Sequence, residues 1–186
     1  MMIHLNGYPG VGKLTVGRLL AQRLGGRLLD NHAIYDVAFA LAEFRSAAWD
    51  NLARGVREVA FAGVEALPLE TPVVTTNACS DSDWGREMWQ AMLDLAKRRA
   101  SPFLVVSMIC EPGENARRLC SVERGGGKMT DPLALEAYRR NWALLEDGGD
   151  ALLRLDCTKL SAEETATAIL TWSAVNSGPR RPATAS

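Results

Sequence analysis

The strongest constraint on this chain is the stretch from Met2 to Gly25, "MIHLNGYPGVGKLTVGRLLAQRLG". Five mostly apolar residues suited to a buried strand run into a glycine-rich turn, and the turn opens directly into a helical pattern. Val16, Leu19, Leu20 and Leu24 fall on one helix face, and Gly25 supplies a stop signal. A strand that feeds a helix through glycines offers successive backbone N–H groups, from Gly10 to Thr15, as a nest for an anion. Gly7, Gly12 and Lys13 fit the spacing G-x-x-x-x-G-K-[ST]. Leu14, however, stands where the hydroxyl is expected, and Thr15 comes one residue late.

The remainder of the chain repeats the alternation. Short apolar runs at 2–6, 27–30, 72–77, 102–110 and 151–156 predict five strands. Helical patterns lie near 13–24, 33–67, 82–100, 112–121, 132–146 and 161–174, with a break in the second near Ser46. Ser161 and Glu164 form an S-x-x-E capping box. Strands alternating with helices predict an α/β fold whose parallel sheet is covered on both faces, with ligands gathered at the carboxyl ends of the strands. At 186 residues the chain suits one domain, expected over 1–176, followed by a polar, Pro-containing tail at 177–186. The net charge of −1 gives no global basic field for nucleic acid or an anionic membrane, so any anion site must be local. No apolar run approaches the ~20 residues of a membrane helix. Cys79, Cys110, Cys120 and Cys157 form no C-x-x-C pair, and reduced, mostly buried thiols in a cytoplasmic protein are expected.

Two functional readings compete for the glycine turn. A dinucleotide-binding turn requires G-x-G-x-x-G and an acidic residue about 20 positions on. The spacing here is G-x-x-G-x-G, although Asp30 does end the second strand. A Tyr-x-x-x-Lys pair, which a short-chain dehydrogenase would carry, is absent: four residues after Tyr8, Tyr35 and Tyr138 stand Gly12, Phe39 and Trp142. The phosphate-loop reading accounts for more, since Lys13 adds a point charge for terminal phosphates and the strand–turn–helix context is the required one.

"GYPGVGKLT" resembles the G-x-P-G-x-G-K-x-T loop of adenylate kinases and related P-loop small-molecule kinases, and the order of elements resembles shikimate kinase, gluconate kinase and chloramphenicol phosphotransferase. The resemblance implies a three-layer α/β/α P-loop NTPase fold with strand order 2-3-1-4-5, ATP and Mg²⁺ as cofactors, and a small molecule as partner. Gly7, Pro9, Gly10, Val11, Gly12, Lys13, Leu14 and Thr15 would form the phosphate loop, Leu14 packing inward and leaving the metal to phosphate oxygens, waters and a carboxylate. Asp30 would orient the acceptor hydroxyl and accept its proton, or merely cap the following helix. His32, in the next loop, is a candidate substrate contact.

Other candidates are spread along the chain. Arg54 and Arg57 share a helix face and would clamp an anionic substrate, or be solvated charges. Asn77 ends the third strand where a metal-holding Asp is common, which leaves Asp81 in the following loop as the metal candidate. "CEPGENARRLCSVERGGGKMTDP" sets three glycines among cations, as a lid near 117–130 or an exposed loop would. As a lid it resembles those of small-molecule kinases, with Arg124 and Lys128 over the phosphates and Arg118, or Arg117, at the nucleotide. Asp156 and Thr158, in "LDCTKLSAEE", would border the base. The function expected is phosphoryl transfer from ATP to a hydroxyl. A nucleoside or nucleotide kinase, or a nucleotide-binding regulator or hydrolase without an acceptor, are the alternatives.

Overall fold

The computed structural model describes residues 1–121 and 128–178. In chain order its elements are β1 (Met2–Asn6), α1 (Lys13–Arg23), β2 (Arg27–Asp30), α2 (Asn31–Leu41), α3 (Ala47–Glu65), β3 (Val73–Asn77), α4 (Asp83–Arg98), β4 (Phe103–Ile109), α5 (Pro112–Leu119), α6 (Pro132–Asn141), β5 (Ala151–Asp156) and α7 (Ala162–Asn176). The strands form one parallel sheet in the order β2-β3-β1-β4-β5, as predicted. Asn6 pairs in register with Asn77 on one side and Ser107 on the other, so the carboxyl ends of the three central strands share one edge.

The period-2 alternation of strand side chains divides the core in two. Ile3, Leu5, Val74, Leu104 and Val106 face α1 and α7, packing with Val16, Leu20, Ala166 and Ile169. Met2, Val73, Phe103 and Val105 face the opposite way, onto Ile34, Trp49, Phe61, Met88 and Leu95 of α2, α3 and α4. Burial on both faces is why these strands read as continuous apolar runs. His4 lies in the second layer, its Nδ1 2.7 Å from the Thr75 hydroxyl, and burial pushes its pKa down to about 3, so it is a neutral core residue. Cys79, Cys110 and Cys157 are buried free thiols, and Cys120 is exposed.

One boundary agrees with expectation and two differ. The long second helix does break near Ser46, whose hydroxyl accepts from the Trp49 N–H at 3.2 Å to start α3. Helix α2 begins at once after β2, with Asp30 as its cap, so Asn31 and His32 lie in a helical first turn rather than a loop. Helix α6 ends at Asn141 rather than 146, because the next residues pair with the exit of β3. Asp81 N–H donates to Ala143 O at 2.9 Å and Leu145 N–H to Cys79 O at 3.0 Å. Among the described residues no helix is long and apolar enough to cross a membrane. The expected lid residue Arg124 and tail residues 179–186 lie outside the described residues.

Candidate active site

Helix α1 starts differently from its neighbours. Helices α2, α3, α4, α6 and α7 begin at Asp30, Ser46, Ser82, Asp131 and Ser161, each side chain accepting from a first-turn N–H. Gly12 begins α1 with φ 101°, a left-handed conformation natural only to glycine, and brings no side-chain cap. Helix α5 also starts without a side-chain cap, at Glu111, but α1 adds the glycine turn, whose N–H groups suit an anion that the helix dipole favours. Gly7 is needed for a different reason: a Cβ there would lie 2.9 Å from Met108 O on β4, so only glycine lets the loop leave the sheet so closely.

The loop is held by named bonds. Asn6 Nδ2 donates to Cys79 O and Leu145 O, both at 2.8 Å, while its Oδ1 accepts from the N–H groups of Gly7 and Cys79. Asn115 Nδ2 donates to Pro9 O at 2.9 Å, and Arg139 donates to Asn115 Oδ1 at 2.5 Å with its guanidinium 4.5 Å from the Tyr8 ring centre. Lys13 Nζ donates to Gly7 O at 2.6 Å and Tyr8 O at 3.0 Å, so the ammonium sits on the loop it serves.

A cavity of about 510 Å³ joins this loop to the carboxyl end of β2. Pro9, Gly10, Gly12, Lys13, Leu14 and Thr15 form one wall, Asp30 and His32 another, and Arg118 and Lys128 a third. Asp30 caps α2, one of the two roles expected for it, and it also lines the cavity. Its Oδ2 accepts from the His32 N–H at 3.3 Å, capping α2, its Oδ1 accepts from the Thr76 hydroxyl, and the residue still lines the cleft. Sequence reasoning missed Arg18, which lines the same cavity. Its signal was its place one helical turn after Thr15, on the same face of α1.

A second cavity, of about 280 Å³, lies on the other side of Arg118. Val11, Gly12 and Thr15 form its floor, and Leu160, Ser161, Ala162 and Thr165 its far wall. Arg118 is fastened between the two cavities, donating to the carbonyls of Cys157 and Thr158 at 3.0 Å and to Glu114 at 2.7 Å. Arg117 and Arg118 together hold the Glu114 carboxyl down to about 2. Asp156 and Thr158 do not line this cavity. Asp156 Oδ1 accepts from the Thr158 N–H and Thr158 Oγ1 accepts from the Glu111 N–H, both at 2.9 Å, so they shape the turn that holds Arg118.

Three candidates are placed elsewhere. Arg54 and Arg57 both grip Glu87 of α4, at 2.8 and 2.9 Å, and neither lines either cavity. These bonds, that from Arg54 foremost, hold the Glu87 carboxyl down to about 2. Asp81 is a staple rather than a cleft carboxylate, its Oδ1 accepting from the Ala143 N–H at 2.9 Å. Among the described residues no group of three or more His, Cys, Asp and Glu gathers as a self-sufficient metal site. Asp30 is the carboxylate lining the larger cavity, which suits an ion that keeps most of its waters and leans on phosphate oxygens, as Mg²⁺ does.

No family model and no curated protein sequence matches the chain. Solved structures do. Shikimate kinase from Bacteroides thetaiotaomicron is 18% identical, with 94% of this chain and 97% of that one covered at a TM-score of 0.57. A gluconokinase from Sinorhizobium meliloti is 14% identical, with 94% and 93% covered and a TM-score of 0.62. Kti12 from Chaetomium thermophilum, in complex with ADP-AlF3, is 14% identical, with 96% and 100% covered and a TM-score of 0.60. With its strand order, its glycine loop after the central strand and these likenesses over nearly the full length, the chain has the P-loop NTPase α/β fold that these kinases share.

Proposed function

We propose that this protein is an ATP-dependent kinase that transfers the γ-phosphoryl group to a hydroxyl of a small molecule. The observation that carries the reading is one cleft in which the uncapped start of α1 and Lys13 share walls with Asp30. The triphosphate would lie on residues 7–15, exchanging the carbonyl partners of Lys13 for phosphate oxygens, and the base would enter the cavity between Arg118 and the start of α7. Mg²⁺ would be held by phosphate oxygens and waters with Asp30 in support, and it would neutralise charge on the transferring group. Asp30 presents an oxygen to the acceptor hydroxyl, while Arg118 and Lys128 offset phosphate charge from the third wall. Arg124 belongs to this proposal as a lid residue, Asp81 no longer does, and a cytoplasmic setting goes with the reliance on ATP. Likeness to shikimate kinase and gluconokinase supports a hydroxyl acceptor.

The test is ADP release from Mg·ATP across a panel of hydroxylated metabolites and antibiotics. Acceptor-dependent release that disappears in Lys13→Ala supports the kinase. The likeness to Kti12 with ADP-AlF3 favours a second reading, a nucleotide hydrolase, and steady release indifferent to every acceptor would select it.

A further inference from the structure

The turn between α2 and α3 sets an arginine where glycine is usual. Ser46 N–H donates to Glu43 O at 3.0 Å, closing a four-residue turn with Arg45 in third place. Arg45 has φ 66°, the left-handed region that costs any residue with a Cβ and that such turns give to glycine. Ala100, the other non-glycine residue with positive φ among the described residues, directly follows the C-cap of α4, where that conformation is routine. The Arg45 guanidinium lies 5.6, 5.8 and 5.1 Å from the ring centres of Phe44, Trp49 and Trp84. Asp50 Oδ1 stands 3.9 Å from its Nη1, beyond hydrogen-bond reach. Among the described residues the guanidinium has no hydrogen-bond acceptor, whereas Arg54 and Arg57 both close on Glu87.

A second donor without an acceptor lies in the same cluster. Tyr35 is buried on α2, its ring centre 5.4 Å from that of Trp49 and 6.2 Å from that of Trp84. Its oxygen faces two groups that only donate, Trp84 Nε1 at 3.2 Å and Asn77 Nδ2 at 3.4 Å. The Asn77 amide is oriented, because its Oδ1 accepts from the Ala78 N–H at 2.8 Å. Both lone pairs of the phenol are thus taken, and among the described residues its own O–H has no acceptor. The cluster borders the exit of β3. Ala78 lines the larger cavity, and Tyr138 O–H donates to Ala78 O at 3.0 Å. Burial pushes the Tyr35 phenol up to about 12 and raises that of Tyr138, and the Arg45 charge opposes the rise at both. The guanidinium therefore stands within electrostatic reach of the hydroxyls that bond Asn77 and Ala78.

We infer that Arg45 and Tyr35 set acceptor specificity by taking a carboxylate of the phosphoryl acceptor, which makes that acceptor a hydroxy acid. The inference rests on the kinase reading. A carboxylate is planar and only accepts, which matches a guanidinium fork and an O–H that have nothing to donate to. A cationic acceptor would meet like charge there. Asp30 pairs in register with Thr76, one residue before Asn77. An acceptor held by its carboxylate at the exit of β3 can therefore turn a hydroxyl toward Asp30 on the neighbouring strand.

The experiment runs the Mg·ATP panel with each hydroxy acid beside its carboxamide. It compares wild type, Arg45→Gln, Tyr35→Phe and Lys13→Ala, with nucleotide affinity and thermal melts recorded for each. Wild type should prefer acid to carboxamide by about 10-fold or more in kcat/KM. Arg45→Gln should erase that preference through KM, with kcat within about threefold and nucleotide affinity unchanged. Tyr35→Phe strands the Trp84 and Asn77 donors and lowers the melting temperature, and it should weaken the preference too. A merely structural role would lower stability and leave the ratio of acid to carboxamide alone. Tryptophan emission reads the site without turnover, since the guanidinium lies on Trp49 and Trp84. Benzoate, and not benzamide, should change it saturably in wild type, and neither should in Arg45→Gln. Equal use of acid and carboxamide, a preference kept in folded Arg45→Gln, or equal responses to benzoate and benzamide overturns the carboxylate site and leaves the kinase standing. ADP release that ignores every acceptor, or that persists in Lys13→Ala, overturns the kinase reading instead.

Discussion

The half of the molecule built on α1 and α7 and the half built on α2, α3 and α4 handle charge in opposite ways. At the glycine loop, α1 begins without a cap, and Lys13, Arg18 and Arg118 line the cleft. In the other half, Arg54 and Arg57 close on Glu87, and Arg54 also stacks 5.3 Å from the Trp84 ring centre. One half sets its cations along a cavity; the other consumes the charge of Arg54 and Arg57 in packing α3 against α4. An arginine therefore indicates an anion site only once its counter-ion in the fold is known.

The sharpest way to break this contrast is Lys13→Ala, expected to lower transfer by about 10³-fold or more while circular dichroism stays native. Wild-type turnover there would remove the reason for the uncapped helix. Next is Asp30→Asn, expected to lose about 10²-fold in ADP release, because the amide is a poorer partner for the hydroxyl. Its melting temperature should barely move, since Asn also caps helices, whereas Asp30→Ala should cost about 1 kcal/mol of stability as well.

At Glu87, the half built on α2, α3 and α4 should answer in stability rather than rate. Glu87→Gln should cost about 1–2 kcal/mol in urea unfolding with transfer changed less than about threefold, the figure discounted because Glu87 is partly solvated while Arg57 is buried. The pH dependence follows from the depressed carboxyl. Glu87 lies near 2 in the fold against an ordinary 4.5, so its contribution is present above about pH 4.5 and is lost as pH falls toward 2. Glu87→Gln should show a shallower loss of stability over that window. The smallest effect expected is that of Arg54→Gln, under about 1 kcal/mol for so exposed a pair, with nucleotide and acceptor affinities unchanged. A tenfold weaker acceptor KM in that variant would return Arg54 to the binding site.

How much of this could be read from the sequence depended on how local each cause was. The parallel sheet and the phosphate loop were legible because β1, β3 and β4 are buried on both faces, and because the loop's glycines, lysine and helix are contiguous; the strand order came with the resemblance. Asp30 was legible from its place at the end of β2. The fate of Arg54 and Arg57 was not, since Glu87 reaches them only when α3 packs on α4, thirty or more residues later. Asp81 and the early end of α6 share one non-local cause, the pairing of Ala143 with the exit of β3. His32 stood in the sequence as an isolated imidazole. Its alignment became visible once α2 was seen to start at Asn31, which brings Asp36 one turn away.

The division of the apolar interior by the sheet has a practical side. Ile3 and Leu5 look toward α1, while Met2 and His4 look toward α4 and its neighbours, so alternate residues of one strand answer to different layers. A directed-evolution library that randomises α2, α3 and the packing around Phe103 and Val105 therefore leaves the contacts of Val16 and Leu20 untouched. On the kinase reading proposed above, rebuilding that layer should change stability first, with nucleotide affinity as the internal control for the other.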